Sequence, residues 1–307
     1  MIHQAAFTPG KPLLKGGLHS HSTRSDGELA PDALIRLHAR KGYDFLALTD
    51  HRVYNYANYA PDARLLVLPG IETDGNGVGP AQGTCFHTVA VGPLPEDGNA
   101  FEQDEKVEST TFQSAEDYQP MVDMLLRKGN LVIYAHPQWS GTPARMFERL
   151  QGVTAMEVWN SGCALENDMD YDNGFIWDEL LRRGMRIFGV ATDDGHLENQ
   201  HGYGWVCVRA HKSPASIVEA LRQGAFYSTC GPDIDDFYVE DGKAVVVCSP
   251  ARYVLFASTQ TPWWHKVTAP SGPLTYAEYP LKPGCRYVRA VVMDERGRRA
   301  WSNPIFL

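Results

Sequence analysis

From Leu13 to about Tyr227, short apolar runs alternate with amphipathic stretches. Within residues 30–43, Ala30, Ala33, Leu34 and Leu37 recur at the spacing of one helical face, and Arg36 and Arg40 share a polar flank. That spacing predicts a helix. Pro31 and Asp32 suit its first turn and Gly42 its end. Residues 44–51 (DFLALTDH) predict a buried strand, followed by strands at 64–72 (RLLVLPGIE) and 86–92 (FHTVAVG). A helix over 118–130 feeds a strand over 131–137 (LVIYAHP). A strand over 154–160, a helix over 176–185, a strand over 186–196 and a helix over 213–227 complete the series.

Strands alternating with helices predict parallel βαβ units. Polar residues gather just after the strands, at the edge where α/β barrels build their active sites. The expectation is an α/β fold with a closed or distorted barrel, a doubly wound sheet being the alternative. From about Ile234 the texture changes. Strand-like runs divided by turn signals such as Asp241-Gly242 and Glu295-Arg296-Gly297 carry no helical pattern. The expected division is a barrel over 13–233 and a small antiparallel β domain over 234–307.

Composition narrows the function. The 307 residues are 43% hydrophobic and 21% charged, enough for a sizeable core and close to the globular norm. A formal net charge of −9 argues against a nucleic-acid backbone as partner and suits a protein that gathers cations. The six cysteines form no C-x-x-C pair. They read as reduced, mostly buried thiols in a cytoplasmic protein. The opening MIHQAAFTPGKPLL has no basic flank before an apolar run, so no signal peptide is expected. No apolar segment is long enough to span a bilayer, so no membrane partner is expected either.

The strand ends carry the chemistry. In GLHSHSTRSDGE, His19 and His21 are two apart, and on an extended chain such residues face the same way. A lone H-x-H is a weak signal. It gains force from the other strand ends: Asp50 and His51, Glu72, His87, His136, and Asp193, Asp194 and His196, with Asp26 just beyond His21. Six of the eleven histidines fall in or beside these positions. Neutral imidazole and carboxylate are the ligands that zinc, manganese and iron accept.

The successive motifs LHSHSTRSDG, ALTDH, GIE, FHTVAVG, AHP and TDDGH resemble, in order, those of the PHP (polymerase and histidinol phosphatase) superfamily. YDFLALTDH, AHPQW, EVWNS, VATDDGH, FYSTCGP and RRAWSNPIFL resemble more narrowly the branch named after carbaryl hydrolase. The resemblance implies a distorted (β/α)7 barrel holding two or three divalent ions. Carried onto matching positions, it implies that His19, His21, Glu72 and Asp194 hold one ion, and that Glu72, His87 and His136 hold a second, with Glu72 bridging. Asp26, His51 and His196 would hold a third. Many members have Ser where this chain has Asp193, so either adjacent aspartate could ligate, and the Asp-x-His spacing favours Asp194. The position of Asp26 is a His in some members.

On this reading Glu72, Asp194 and His196 carry catalysis through the ions they hold, and a metal-activated hydroxide attacks phosphorus or a carbonyl carbon. No G-x-S-x-G elbow offers a serine nucleophile. Arg24 and Arg52, beside ligand positions, would fit a phosphate. Trp139, with Tyr54, Tyr56 and Tyr59, would wall a pocket for a flat leaving group. His201, Asp50 and Asp193 are candidates for moving a proton, and Glu157 and Asn160 for supporting the ligands. His3, His38, His211 and His265 read as surface or structural residues. Trp263 and Trp264 are expected between the two domains.

Three functions are open on these grounds. The first is a hydrolase of a small phosphoester. The second uses the same site on a carboxylic ester, carbamate or amide. The third is a metal-stabilised binding protein without catalysis.

Overall fold

The helix Pro31–Arg40 forms where the periodicity predicts it. Pro31 lacks an N–H that the first turn would leave unpaired anyway. Leu34, Ile35 and Leu37 are buried, and Gly42, at φ 77°, turns the chain out of the helix. These relations come from a computed structural model, which describes residues 3–7, 10–92 and 100–307. Of the opening stretch read for a leader, residues 1, 2, 8 and 9 lie outside the described residues.

The helix Ala115–Arg127 starts three residues before its expected position, because Asp117 accepts from the main-chain N–H of Ser114 (3.1 Å) and of Gln113 (2.9 Å). The helix expected over 213–227 is shorter than its periodicity suggests and spans Pro214–Gln223. Gly224 takes a left-handed φ of 73° and closes it. The next residues form the strand Phe226–Thr229.

The described strands form three sheets. The largest runs in the spatial order Trp264–Val267, Tyr253–Ser258, Tyr287–Met293, Arg299–Ser302, Phe226–Thr229, Trp205–Arg209, Leu13–Gly17, Phe45–Ala47 and Leu66–Leu68, with Ile305–Phe306 added to Tyr287–Met293. The second runs Phe188–Thr192, Ala155–Asn160, Leu131–Tyr134, Cys85–Val91, Gly70–Gly77 and Thr110–Phe112. The third is His3–Ala5, Ile234–Glu240, Lys243–Ala251 and Leu274–Pro280.

Parallel pairing appears among Leu13–Gly17, Phe45–Ala47 and Leu66–Leu68, and among Leu131–Tyr134, Ala155–Asn160 and Phe188–Thr192, where longer connections join the strands. It fails at Gly70–Gly77 and Cys85–Val91, which pair antiparallel. The connection over 78–84 is too short for the crossover that a parallel pair needs. The fold is therefore mixed α/β, and its described residues close no ring of hydrogen-bonded strands.

The two larger sheets meet at isolated bridges, Ser20 to Gly195, His51 to Glu72 and Asn55 to Gly70. These bridges lie at the chain positions that carry the candidate ligands. After Thr229 the described residues contain strands and no helix, in keeping with the expected change of texture. This β-rich part is continuous with the rest, since Arg299–Ser302 pairs antiparallel with Phe226–Thr229. Tyr287, Val291 and Trp301 share one apolar cluster with Trp177, Leu180 and Leu181. Trp263 packs edge-on against Phe175 and lies under the Arg182 guanidinium. It is half-buried between the helix Gly174–Arg182 and the late strands.

Candidate metal centre

The strand Leu13–Gly17 runs on into Leu18, His19, Ser20 and His21 in extended form, held by the Ser20–Gly195 bridge. The Ser20 hydroxyl donates to the Ala47 carbonyl (2.8 Å), which leaves the two histidines facing the same space. Their Nε2 atoms are 3.1 Å apart. Glu72 Oε2 lies 3.3 Å from His19 Nε2 and 3.2 Å from His21 Nε2. Asp194 Oδ1 lies 3.1 and 3.0 Å from the same two nitrogens. Four atoms spaced this evenly enclose a point roughly 2 Å from each, the length of a zinc–nitrogen or zinc–oxygen bond.

Hydrogen bonding supports the same conclusion. Glu72 Oε2 and Asp194 Oδ1 are buried and have no hydrogen-bond partner. A buried anionic oxygen left bare is costly, and a cation at the centre of the four atoms removes that cost. The residues thus fit a divalent ion.

Glu72 extends the centre. Its Oε1 lies 3.0 Å from His87 Nδ1 and 3.4 Å from His136 Nε2, while Oε2 lies 3.0 Å from His51 Nδ1. Asp26 lies 3.6 Å from His51 Nε2, 3.4 Å from His196 Nε2 and 3.6 Å from His21 Nδ1. The ligand atoms come together as His19, His21, Glu72 and Asp194, as His21, Asp26, His51 and His196, and as His51, Glu72 and His87, with His136 adjoining through Glu72 Oε1. His51 reaches toward Glu72 as well as Asp26, and His21 presents its second nitrogen to the Asp26 group.

Between the two adjacent aspartates, the structure separates the roles. Asp194 faces the histidines. Asp193 points the other way and accepts from the main-chain N–H groups of Gly202, Tyr203 and Gly204. The strand ends at Thr192 and Asp194 takes a left-handed φ of 48°, so the chain turns between the two carboxylates.

A further layer orients the ligands. His19 Nδ1 donates to Glu157 Oε1 at 2.7 Å. Glu157 also accepts from the Thr192 hydroxyl (2.7 Å), the His136 main-chain N–H (2.8 Å) and the Asn160 side-chain amide (2.7 Å). That amide reaches Asp194 Oδ2 at 3.0 Å. Asp50 accepts from the hydroxyls of Ser22 and Ser25, and Ser25 lies 3.3 Å from His21 Nδ1. Asp50 therefore braces the loop after His21 rather than moving a proton in the cleft.

Charge follows from this packing. Burial would raise Glu72, but His19, His51, His87 and His136 outweigh it and hold its carboxyl well below the usual range. Burial would lower His21, yet Asp194 and Glu72 raise it to about 9. In the same way Glu72 overrides burial and brings His87 to about 10. The carboxylates thus demand positive charge at the centre, from protons or from metal ions.

The centre opens into a cleft of about 360 Å³ lined by seven of these candidate ligands together with Trp139, Gly162, Cys163, Glu166 and Asn167. Trp139 stands edge-on to His136 and His87, with ring centroids 4.8 and 5.4 Å apart. Asp170 holds it there by accepting from the main-chain N–H groups of Gln138 and Trp139.

Three expected substrate contacts are placed elsewhere. Arg24 pairs with Asp104 and Tyr59. Arg52 turns toward Asp74, 3.6 Å away. His201 is 1% exposed and lies behind Gly195, so it does not reach the cleft. Tyr54 is buried in the core. The helix Ser161–Asn167, which brings Cys163, Glu166 and Asn167 to the cleft, was not anticipated. Its signal is Asn160, whose side chain caps the helix by accepting from Cys163 N–H. A larger groove of about 930 Å³, flanked by Arg183, Arg186 and Arg222, contains none of the ligands.

No family model and no curated protein matches the sequence. Solved structures do match. A two-domain protein of Bacteroides vulgatus, described as containing a predicted PHP-like metal-dependent phosphoesterase, aligns over 94% of this chain and 92% of its own at 16% identity, with a TM-score of 0.51. An amidohydrolase from Chromobacterium violaceum, with bound sulfate and no metal, aligns over 59% of this chain and 87% of its own at 18% identity and a TM-score of 0.40. A candidate metal-dependent phosphoesterase from Bifidobacterium adolescentis aligns over 61% and 89% at 14% identity and a TM-score of 0.37. The first match bears on the fold. The chain thus shares its fold with that two-domain protein and carries a cluster of histidines and carboxylates that could bind metal.

Proposed function

We propose that the chain is a metal-dependent hydrolase acting on a small phosphoester. The observation that carries this is the cage of His19 Nε2, His21 Nε2, Glu72 Oε2 and Asp194 Oδ1, joined through Glu72 to further histidines at the floor of an open cleft. The ligand roles, including those of Glu72, Asp194 and His196 in catalysis, are part of this reading. So are two or three ions of the zinc, manganese or iron kind, a distorted barrel over 13–233 with a β domain over 234–307, and a cytoplasmic setting. Ions held there would supply Lewis acidity, making a water a better nucleophile near neutral pH and stabilising charge on the substrate oxygen.

The chain's own residues then have defined tasks. Glu157 keeps the proton of His19 on Nδ1, so Nε2 offers its lone pair to the centre. Asn160 fixes Asp194, and the Asp50–Ser25 pair steadies the loop of His21. Trp139 forms one wall of the cleft.

One observation favours a second substrate class. Among the described residues, those lining the cleft include no lysine or arginine, so a phosphate would find its positive charge at the ions. With Trp139 beside the floor, this suits a carboxylic ester, carbamate or amide with a flat leaving group, as in the branch named after carbaryl hydrolase. A panel of nitrophenyl phosphates and acyl esters, assayed with Mn²⁺ and with Zn²⁺, separates the two. Turnover of a phosphoester that stops when the ions are chelated supports the first. Acyl hydrolysis with no phosphoester turnover selects the second. No hydrolysis of either kind, in protein that holds its metal, would leave a metal-stabilised binding protein.

A further inference from the structure

Behind the loop that carries Asp194 and His196, three ligand-type side chains from two segments meet outside the cleft. They are His38 of the helix Pro31–Arg40, Asp193 and His201, with ligand atoms within 4.8 Å of one another. Each is at most 2% exposed. His38 donates its Nδ1–H to the Leu34 carbonyl at 3.0 Å, which leaves Nε2 as the lone-pair nitrogen of a neutral ring. That nitrogen has no partner and lies 3.7 Å from Asp193 Oδ2. Neither ring nitrogen of His201 has a partner, and the buried Tyr43 hydroxyl has none either. The His38 ring stands edge-on to both, with centroids 5.1 Å from His201 and 4.8 Å from Tyr43.

Lone pairs on His38 and Asp193 thus face one small buried space. Native interiors rarely leave such groups unmatched unless a positive centre or a water sits between them. A separation of 3.7 Å suits two ligands about 2.1 Å from one ion, at an angle somewhat wider than tetrahedral. A ring with Nδ1–H tied to a main-chain carbonyl is also the usual posture of a ligating histidine. The other contacts of Asp193 leave the space open. Oδ1 accepts from the Ser161 hydroxyl and the N–H groups of Tyr203 and Gly204, and Oδ2 accepts from Gly202 N–H at 2.6 Å.

We propose that His38, Asp193 and His201 form a further divalent-cation site, of zinc type and separate from the centre around Glu72, with the Tyr43 hydroxyl or a water as fourth ligand. Two imidazoles and a carboxylate are a zinc donor set. The site is structural, being closed to solvent. An ion here ties the segment 193–201 to the first helix and so holds Asp194 and His196 at the cleft. Gly195 fits this tie, because a Cβ there would come within 2.3 Å of the His201 ring.

Elemental analysis tests this independently of any hydrolase activity. A chain carrying His19→Ala, Asp26→Ala and Glu72→Ala, loaded with Zn²⁺ and freed of loose metal by gel filtration, should keep roughly one zinc per chain. Adding His38→Gln or His201→Gln should remove it. Co²⁺ in place of Zn²⁺ should show the visible absorption of a four-coordinate ion in the first chain and not in the second. Zinc content unaffected by either added substitution overturns the proposal. If those variants fail to fold by circular dichroism, crystals of the unaltered chain grown with Zn²⁺ decide it. Anomalous density at the zinc edge between His38 Nε2 and Asp193 upholds the site, and a water or no density there overturns it.

Discussion

His19 Nδ1 and Glu157 Oε1 lie 2.7 Å apart, and both side chains are fully buried. The pair joins the extension of the strand Leu13–Gly17 to the strand Ala155–Asn160, and it sets which nitrogen of His19 faces the centre. Glu157→Gln should therefore weaken metal binding while leaving the fold intact. The expected loss is about 10- to 100-fold in affinity, the range usual for groups that orient a ligand. Competition with a chelator of known affinity measures it, and unchanged affinity would show that His19 needs no such support.

Glu72 is the carboxylate shared most widely, lying within 3.4 Å of His19, His21, His51, His87 and His136. Glu72→Ala should abolish turnover and release more than one ion per chain. His19→Ala should abolish turnover with a smaller loss of metal. Metal counting beside a hydrolase assay checks both, and full metal with full rate in either variant would mean the ligands are misassigned.

Asp26 stands at the rim, its side chain about half exposed, and lies within 3.6 Å of His51, His196 and the outward nitrogen of His21. Asp26→Ala should empty the outer position and leave the inner cage loaded. The readout is one ion lost out of those bound. Loss of every ion would join the outer and inner positions into one cooperative unit.

Asp178 and Arg289 form a fully buried pair, 2.6 Å at the closest oxygen, between the helix Gly174–Arg182 and the strand Tyr287–Met293. Arg289→Met alone strands a buried carboxylate and should cost about 3–5 kcal/mol. Replacing both, Asp178→Leu with Arg289→Met, should recover most of that. Urea unfolding of the three chains measures the difference, and equal losses in the single and double variants would count against this account.

Trp139→Ala should raise KM for substrates with an aromatic leaving group and leave metal content unchanged. An aromatic contact contributes about 0.5–1.5 kcal/mol, so the rise should be roughly two- to tenfold. Steady-state kinetics on aromatic and aliphatic substrates read it. An equal change for both would assign Trp139 to packing rather than recognition.

The candidate ligands stood out in the sequence because each lies in a short local motif, most just after a strand and Glu72 and His87 within one. His19 and His21 share a face by the two-residue period of extended chain, and that relation needs no tertiary information. The helix around Leu34 and the all-strand texture of the later segment were readable for the same reason, since local periodicity reports local structure.

What no local pattern could decide was which groups meet across segments. Tertiary packing turned Asp194 inward and Asp193 outward, drew Arg24 to Asp104, and buried His38 and His201 side by side. It also paired the strands of Glu72 and His87 antiparallel and ran the late strands into the main sheet. These outcomes depend on contacts between residues tens to hundreds of positions apart. Periodicity along the chain records which side of an element is apolar, and not which distant element comes to cover it.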